Sequence, residues 1–107
     1  MEIASRDEGD GATIVALDGE FDLATAPEVR DAVLGAISSN GDSVAVDMTA
    51  CTFIDSTGLR ILVEAGRKMQ ERGQRLALIG LRDQPLKIFE LALGGRWEMF
   101  ERTDADG

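Results

Sequence analysis

Apolar positions alternate with polar ones near the start of the chain and then fall three times into helical spacing. Residues 2–6 make a short strand candidate. The polar stretch Asp7-Glu8-Gly9-Asp10-Gly11 predicts a turn. The run Thr13-Ile14-Val15-Ala16-Leu17, β-branched and apolar, predicts a second strand that stops at Asp18-Gly19. The two pieces read as a hairpin. Thr25-Ala26-Pro27-Glu28 predicts a helix start, with Thr25 as the cap and Glu28 completing a capping box. Ala26, Val29, Val33, Ala36 and Ile37 then recur on one helical face, and Asn40-Gly41 reads as the stop. Gly35 sits inside that helix without an evident reason.

Ser43-Val44-Ala45-Val46-Asp47-Met48 predicts a buried strand, followed by a short loop over residues 49–52 and the apolar pair Phe53-Ile54. From about residue 57, Leu59, Leu62, Val63, Gly66 and Met69 mark a second amphipathic helix that Gly73 ends. Leu76-Ala77-Leu78-Ile79 predicts a third short apolar strand, closed by Gly80. A third helix opens at Gln84-Pro85, carries Leu86, Ile88, Phe89, Ala92 and Leu93 inward, and ends at Gly94-Gly95. Trp97, Met99 and Phe100 are expected in an edge strand or packed under the sheet, and residues 103–107 in a mobile tail. Strands that alternate with helices at this spacing favour parallel pairs joined by right-handed crossovers. The expected fold is a single α/β domain over residues 1–107: a mixed sheet of four or five strands packed with three or four helices, on one or both faces.

Composition narrows the function. The 107 residues carry a net charge of -9, which argues against nucleic acid and against an electrostatic hold on anionic membranes. No apolar run approaches the ~20 residues that span a bilayer. The lone Cys51 forms no internal disulfide, reads as a small buried hydrophobe and fits a reducing cytoplasm. Histidine and tyrosine are absent, which removes histidine-based triads and most zinc sites. No glycine-rich phosphate loop is present. The expectation is a protein that is not an enzyme, carries no cofactor and is monomeric when free.

In open α/β sheets, function gathers where strands end and helices begin. Asp55-Ser56-Thr57-Gly58 occupies such a corner. Taken alone, its hydroxyls and carboxylate read first as helix capping; a phosphate on Ser56 is compatible with that, because free N–H groups and the positive dipole end lie there.

Phe53-Ile54-Asp55-Ser56-Thr57-Gly58-Leu59 closely resembles the signature of STAS-domain anti-sigma-factor antagonists. Further matches follow in the expected order: Gly19-Glu20-Phe21-Asp22 with Ala24-Thr25-Ala26-Pro27-Glu28, Val44-Ala45-Val46-Asp47-Met48, and Leu91-Ala92-Leu93-Gly94-Gly95. The resemblance covers roughly residues 10–102. It implies that the unmodified protein binds an anti-sigma factor that is also a serine kinase, which frees a sigma factor. Phosphorylation of Ser56 by that kinase ends binding, and a serine phosphatase resets it. It also implies that Asp22, Asp55, Ser56, Thr57, Gly58 and Arg60 contact the partner, Asp22 as the acidic residue near the acceptor. Thr57 is a lesser acceptor candidate. Relatives of this fold also include non-switching docking modules of stressosomes and lipid-transport complexes.

Overall fold

The computed structural model describes residues 1–9, 11–39 and 43–104. Its elements are β1 (Glu2–Asp7), β2 (Ala12–Phe21), α1 (Ala26–Ser39), β3 (Ser43–Ile54), α2 (Ser56–Glu71), β4 (Leu76–Ile79), α3 (Asp83–Leu93) and β5 (Phe100–Thr103). The five strands lie side by side in chain order. β1 runs antiparallel to β2 as the expected hairpin, with Ile3 opposite Leu17, and the other neighbours are parallel. Sequential parallel strands joined by crossovers of one hand place their helices on one face of the sheet.

That face is the core. Val15, Leu17, Val44, Val46, Met48, Leu76 and Leu78 point into it and are fully buried. Their alternates Ile14, Ala16, Ala45, Asp47, Ala77 and Ile79 stay half-buried on the other face. α1 covers the sheet with Ala26, Val29, Val33, Ala36 and Ile37, the face read from the sequence. α2 buries Gly58, Ile61, Leu62, Ala65, Gly66 and Met69. Phe89, Trp97 and Phe100 form an aromatic group, Phe89 meeting Phe100 edge-on with centroids 5.6 Å apart. Phe100 therefore does both things expected of it: it opens β5 and packs beneath the sheet. Cys51 is buried, and burial pushes its thiol pKa up. No helix among the described residues is long and apolar enough to cross a membrane.

Two expectations about the sheet are corrected together. β2 does not stop at Asp18-Gly19 but runs to Phe21, and residues 49–52 are not a loop but the second half of β3. Asp18 pairs with Ala50, Gly19 with Cys51, Glu20 with Phe53 and Phe21 with Ile54. The register slips between Ala16 and Asp18 and again between Gly19 and Glu20, each time with one extra residue in β3. Gly19 accepts the local distortion at φ +117°. The bulges bend the chain while keeping it paired, so that β2 and β3 end together.

The helix starts also differ from expectation. α2 begins at Ser56 and α3 at Asp83, each slightly earlier than read from the sequence. Gly73 (φ +74°) ends the last turn of α2, where Gln74 N–H returns to Met69 O. The stop at Asn40-Gly41 falls outside the described residues. So do residues 105–107 of the expected tail, whereas Thr103 belongs to β5, opposite Ile79.

Two glycines set contrasting tests. At Gly58 a Cβ would stand 2.8 Å from Ile54 Cγ1 and 2.9 Å from Phe21 O, so only glycine lets α2 start this close to the β2–β3 pair. At Gly35, on exposed helix surface, a Cβ meets nothing within 4 Å. Gly58→Ala is expected to cost about 1–3 kcal/mol through overpacking. Gly35→Ala is expected to stabilise by about 1 kcal/mol through helix propensity. Denaturant unfolding of both variants checks the opposite signs.

Candidate functional site

The joint end of β2 and β3 delivers two loops to one corner: residues 22–25 leading into α1, and Asp55 leading into α2. Asp55 links them. One carboxylate oxygen, Oδ1, accepts from Gly58 N–H at 2.9 Å and caps α2. The other, Oδ2, accepts from Leu23 N–H at 3.1 Å, across 32 residues of sequence. Asp55 N–H donates to Phe21 O at 3.2 Å, continuing the strand pairing into the corner.

Asp22 organises the other loop. Its Oδ1 accepts from Ala24 N–H at 3.0 Å and Thr25 N–H at 3.2 Å. The Thr25 hydroxyl turns backward, donating to Glu20 O and accepting from Asp22 N–H, both at 3.0 Å. The expected capping box of Thr25 and Glu28 is thus corrected. The Asp22 carboxylate instead holds the turn ahead of α1 through the Ala24 and Thr25 amides, and Thr25 braces the loop behind it. A competing donor is closer: the Asp22 amide reaches the Thr25 oxygen before a helical N–H does.

Ser56 is the first residue of α2, and its side chain is exposed. Thr57 beside it is half-buried, which makes Ser56 the more accessible hydroxyl. Gly58 is buried beneath them. Arg60 lies on exposed helix surface one turn further along and makes no ion pair among the described residues. The fold therefore gathers Asp22, Asp55, Ser56, Thr57 and Gly58 at one corner, with Arg60 at its margin.

Three residues at or beside the corner were not singled out by sequence reasoning. Leu23 is 71% exposed although large and apolar, and Phe53 is 38% exposed. An apolar residue inside the polar Asp22–Thr25 loop was the available signal for Leu23. Gln84 forms paired bonds to Ile54, donating to its O and accepting from its N–H, both at 2.9 Å. Nothing in the local sequence marks that role.

Asp55→Ala is expected to lower unfolding free energy by about 1.5–3 kcal/mol, because it leaves the Gly58 and Leu23 amides without their acceptor. Asp55→Asn keeps one acceptor oxygen and is expected to lose less than half of that. Thermal unfolding of the two variants side by side checks the order.

Comparison with known proteins agrees with this architecture. Residues 4–94 match the family model described as "Mlab, STAS domain". The chain is 33% identical over 107 residues to the anti-sigma-B factor antagonist of Listeria monocytogenes, covering all of this chain and 90% of that protein. It superposes on an anti-sigma factor antagonist from Mycobacterium paratuberculosis with a TM-score of 0.79 at 22% identity, over 95% of this chain and 86% of that one. On the Bacillus cell fate determinant SpoIIAA in its phosphorylated form the TM-score is 0.74 at 17% identity, over 94% and 90%. With a family model that spans most of its length and a sheet and helices arranged as in those structures, this chain belongs to the STAS domain family.

Proposed function

We propose that this chain is an anti-sigma-factor antagonist of the bacterial cytoplasm whose binding is switched by phosphorylation of Ser56. The observation that carries the reading is the seat of Ser56: an exposed hydroxyl on a backbone held on both sides by hydrogen bonds to Asp55. Relatives named as anti-sigma factor antagonists, one of them aligned over the whole chain, support the general role.

In this reading the unmodified corner docks on an anti-sigma factor that is also a serine kinase. Leu23 and Phe53 supply exposed apolar area, and Asp22, Thr57 and Arg60 supply polar contacts around it. The kinase transfers the γ-phosphoryl group of ATP to Ser56 Oγ. The hydroxyl proton leaves and ADP is released. A serine phosphatase hydrolyses the ester and restores the hydroxyl. The chain itself catalyses neither step.

Charge alone is large enough to work the switch. A phosphoserine adds about -1.5 to -2 charges. Unit charges ~6 Å apart at an effective dielectric of ~20 repel by about 2.8 kcal/mol. Half of that, after screening, weakens binding about tenfold. Asp22 and Asp55 already make the corner acidic, so a partner shaped for two carboxylates meets a much denser negative charge after modification. The free N–H groups at the start of α2 stabilise the phosphate where it is formed.

The test is intact-mass analysis of the protein from its own cells, with Ser56→Ala in parallel. A gain of one phosphate that maps to Ser56 and is lost in the variant is expected. No phosphate under any growth condition, with Ser56→Ala functioning normally, would overturn the switch. A docking module without a switch would remain.

A further inference from the structure

β3 outruns its neighbour. Its pairing with β4 covers Ala45, Asp47 and the residue between them, opposite Ala77–Ile79, yet the strand continues to Ile54. On the β2 side it stays paired to the end, with Phe21 opposite Ile54. On the β4 side, side chains that follow β4 take the place of a strand. Arg82 Nη2 donates to Thr49 O at 3.2 Å. Gln84 does more, because its carboxamide meets both backbone groups of Ile54 at 2.9 Å, Oε1 accepting from N–H and Nε2 donating to O. A carboxamide presents an acceptor and a donor side by side, as a neighbouring strand residue does. Ile54 itself is fully buried, so these two groups would otherwise lack partners.

The backbone before Gln84 is shaped to bring it there. Asp83 has φ +55°, the one non-glycine residue with positive φ among those described. Aspartate tolerates this region better than most residues, and such conformations persist where the surroundings enforce them. The residue after Ile54 is Asp55, whose carboxylate holds both Leu23 and Gly58, and the next is Ser56.

We propose that Gln84 is the positioning residue of the Asp55–Ser56 corner, fastening it to α3 on the side away from β2. Its relevance to switching rests on the reading of Ser56 given above. The geometry makes the acceptor seat depend on three elements: β2 through Phe21, the loop before α1 through Leu23, and α3 through Gln84. Loosening Gln84 frees the end of β3 and lets the Asp55 carboxylate drift from its two amides while the sheet centre stays folded.

Amide hydrogen exchange by NMR on the full chain tests this with Gln84→Met, which keeps length and removes both bonds. Ile54 N–H is expected to exchange ~10-fold faster or more, and Leu23 and Gly58 N–H at least ~3-fold faster, while Val46 and Leu78 keep their protection. Unchanged Leu23 and Gly58 amides would overturn the proposal, because Gln84 would then fasten Ile54 alone. Equal acceleration at Val46 and Leu78 would also overturn it, marking a general packing role. Should Gln84→Met fail to fold, Gln84→Asn, which keeps the amide but falls one methylene short, carries the same expectation. No phosphorylation enters this measurement, so a failed Ser56 switch and a failed Gln84 clamp are read separately.

Discussion

The corner depends on one carboxylate that satisfies two backbone amides from different elements. Asp55 caps α2 through Gly58 N–H and gathers the loop before α1 through Leu23 N–H. Neither amide has a regular secondary-structure partner at that place: the first turn of a helix leaves the Gly58 N–H open, and Leu23 lies in the turn between β2 and α1. The arrangement also requires Gly58, because a side chain there would strike Phe21 O and Ile54. Close approach and capping are thus one constraint seen from two sides. The long β2–β3 pair carries Asp22 and Asp55 to the same edge of the sheet. The carboxylate then holds the two loops together at a distance that packing alone would not fix.

Much of this was legible in the residues, and the reasons differ by element. The buried face of α1 followed from 3.6-residue spacing, because nothing interrupts the period between Ala26 and Ile37. The hairpin and the parallel order followed from short apolar runs alternating with helices. The second half of β3 was illegible for a physical reason. Its buried residues stand at Met48, Cys51 and Ile54, three apart, because each bulge adds a residue and breaks the two-residue alternation. Asp18-Gly19 looked like a stop for the matching reason that glycine serves bulges as well as turns. Both misreadings concern a single feature, the bulged strand pair, and that feature is what delivers Asp22 and Asp55 to one corner.

At the corner itself, residue types were legible and partners were not. Asp55 was recognisable as a cap, but its second bond spans 32 residues to Leu23 and leaves no local trace. Thr25 and Glu28 have the spacing of a capping box, yet the Thr25 oxygen is taken by Asp22 N–H. Gln84 stands in for a missing strand neighbour, a role set by β4 being shorter than β3 and invisible in either segment alone. On the proposed reading these bonds explain why a phosphate acts through charge rather than refolding. The hydroxyl that changes is exposed, while the backbone beneath it is held from several directions.

The most direct measurement is a calorimetric titration of the cognate anti-sigma factor against two forms of the full chain, one with serine and one with phosphoserine installed at position 56. Backbone amide spectra are recorded on both forms. The account predicts affinity at least ~10-fold weaker for the phosphorylated form, with shifts in the amide spectrum confined to residues around the β3–α2 corner. Equal affinities, or loss of binding accompanied by shifts throughout the sheet, would contradict it.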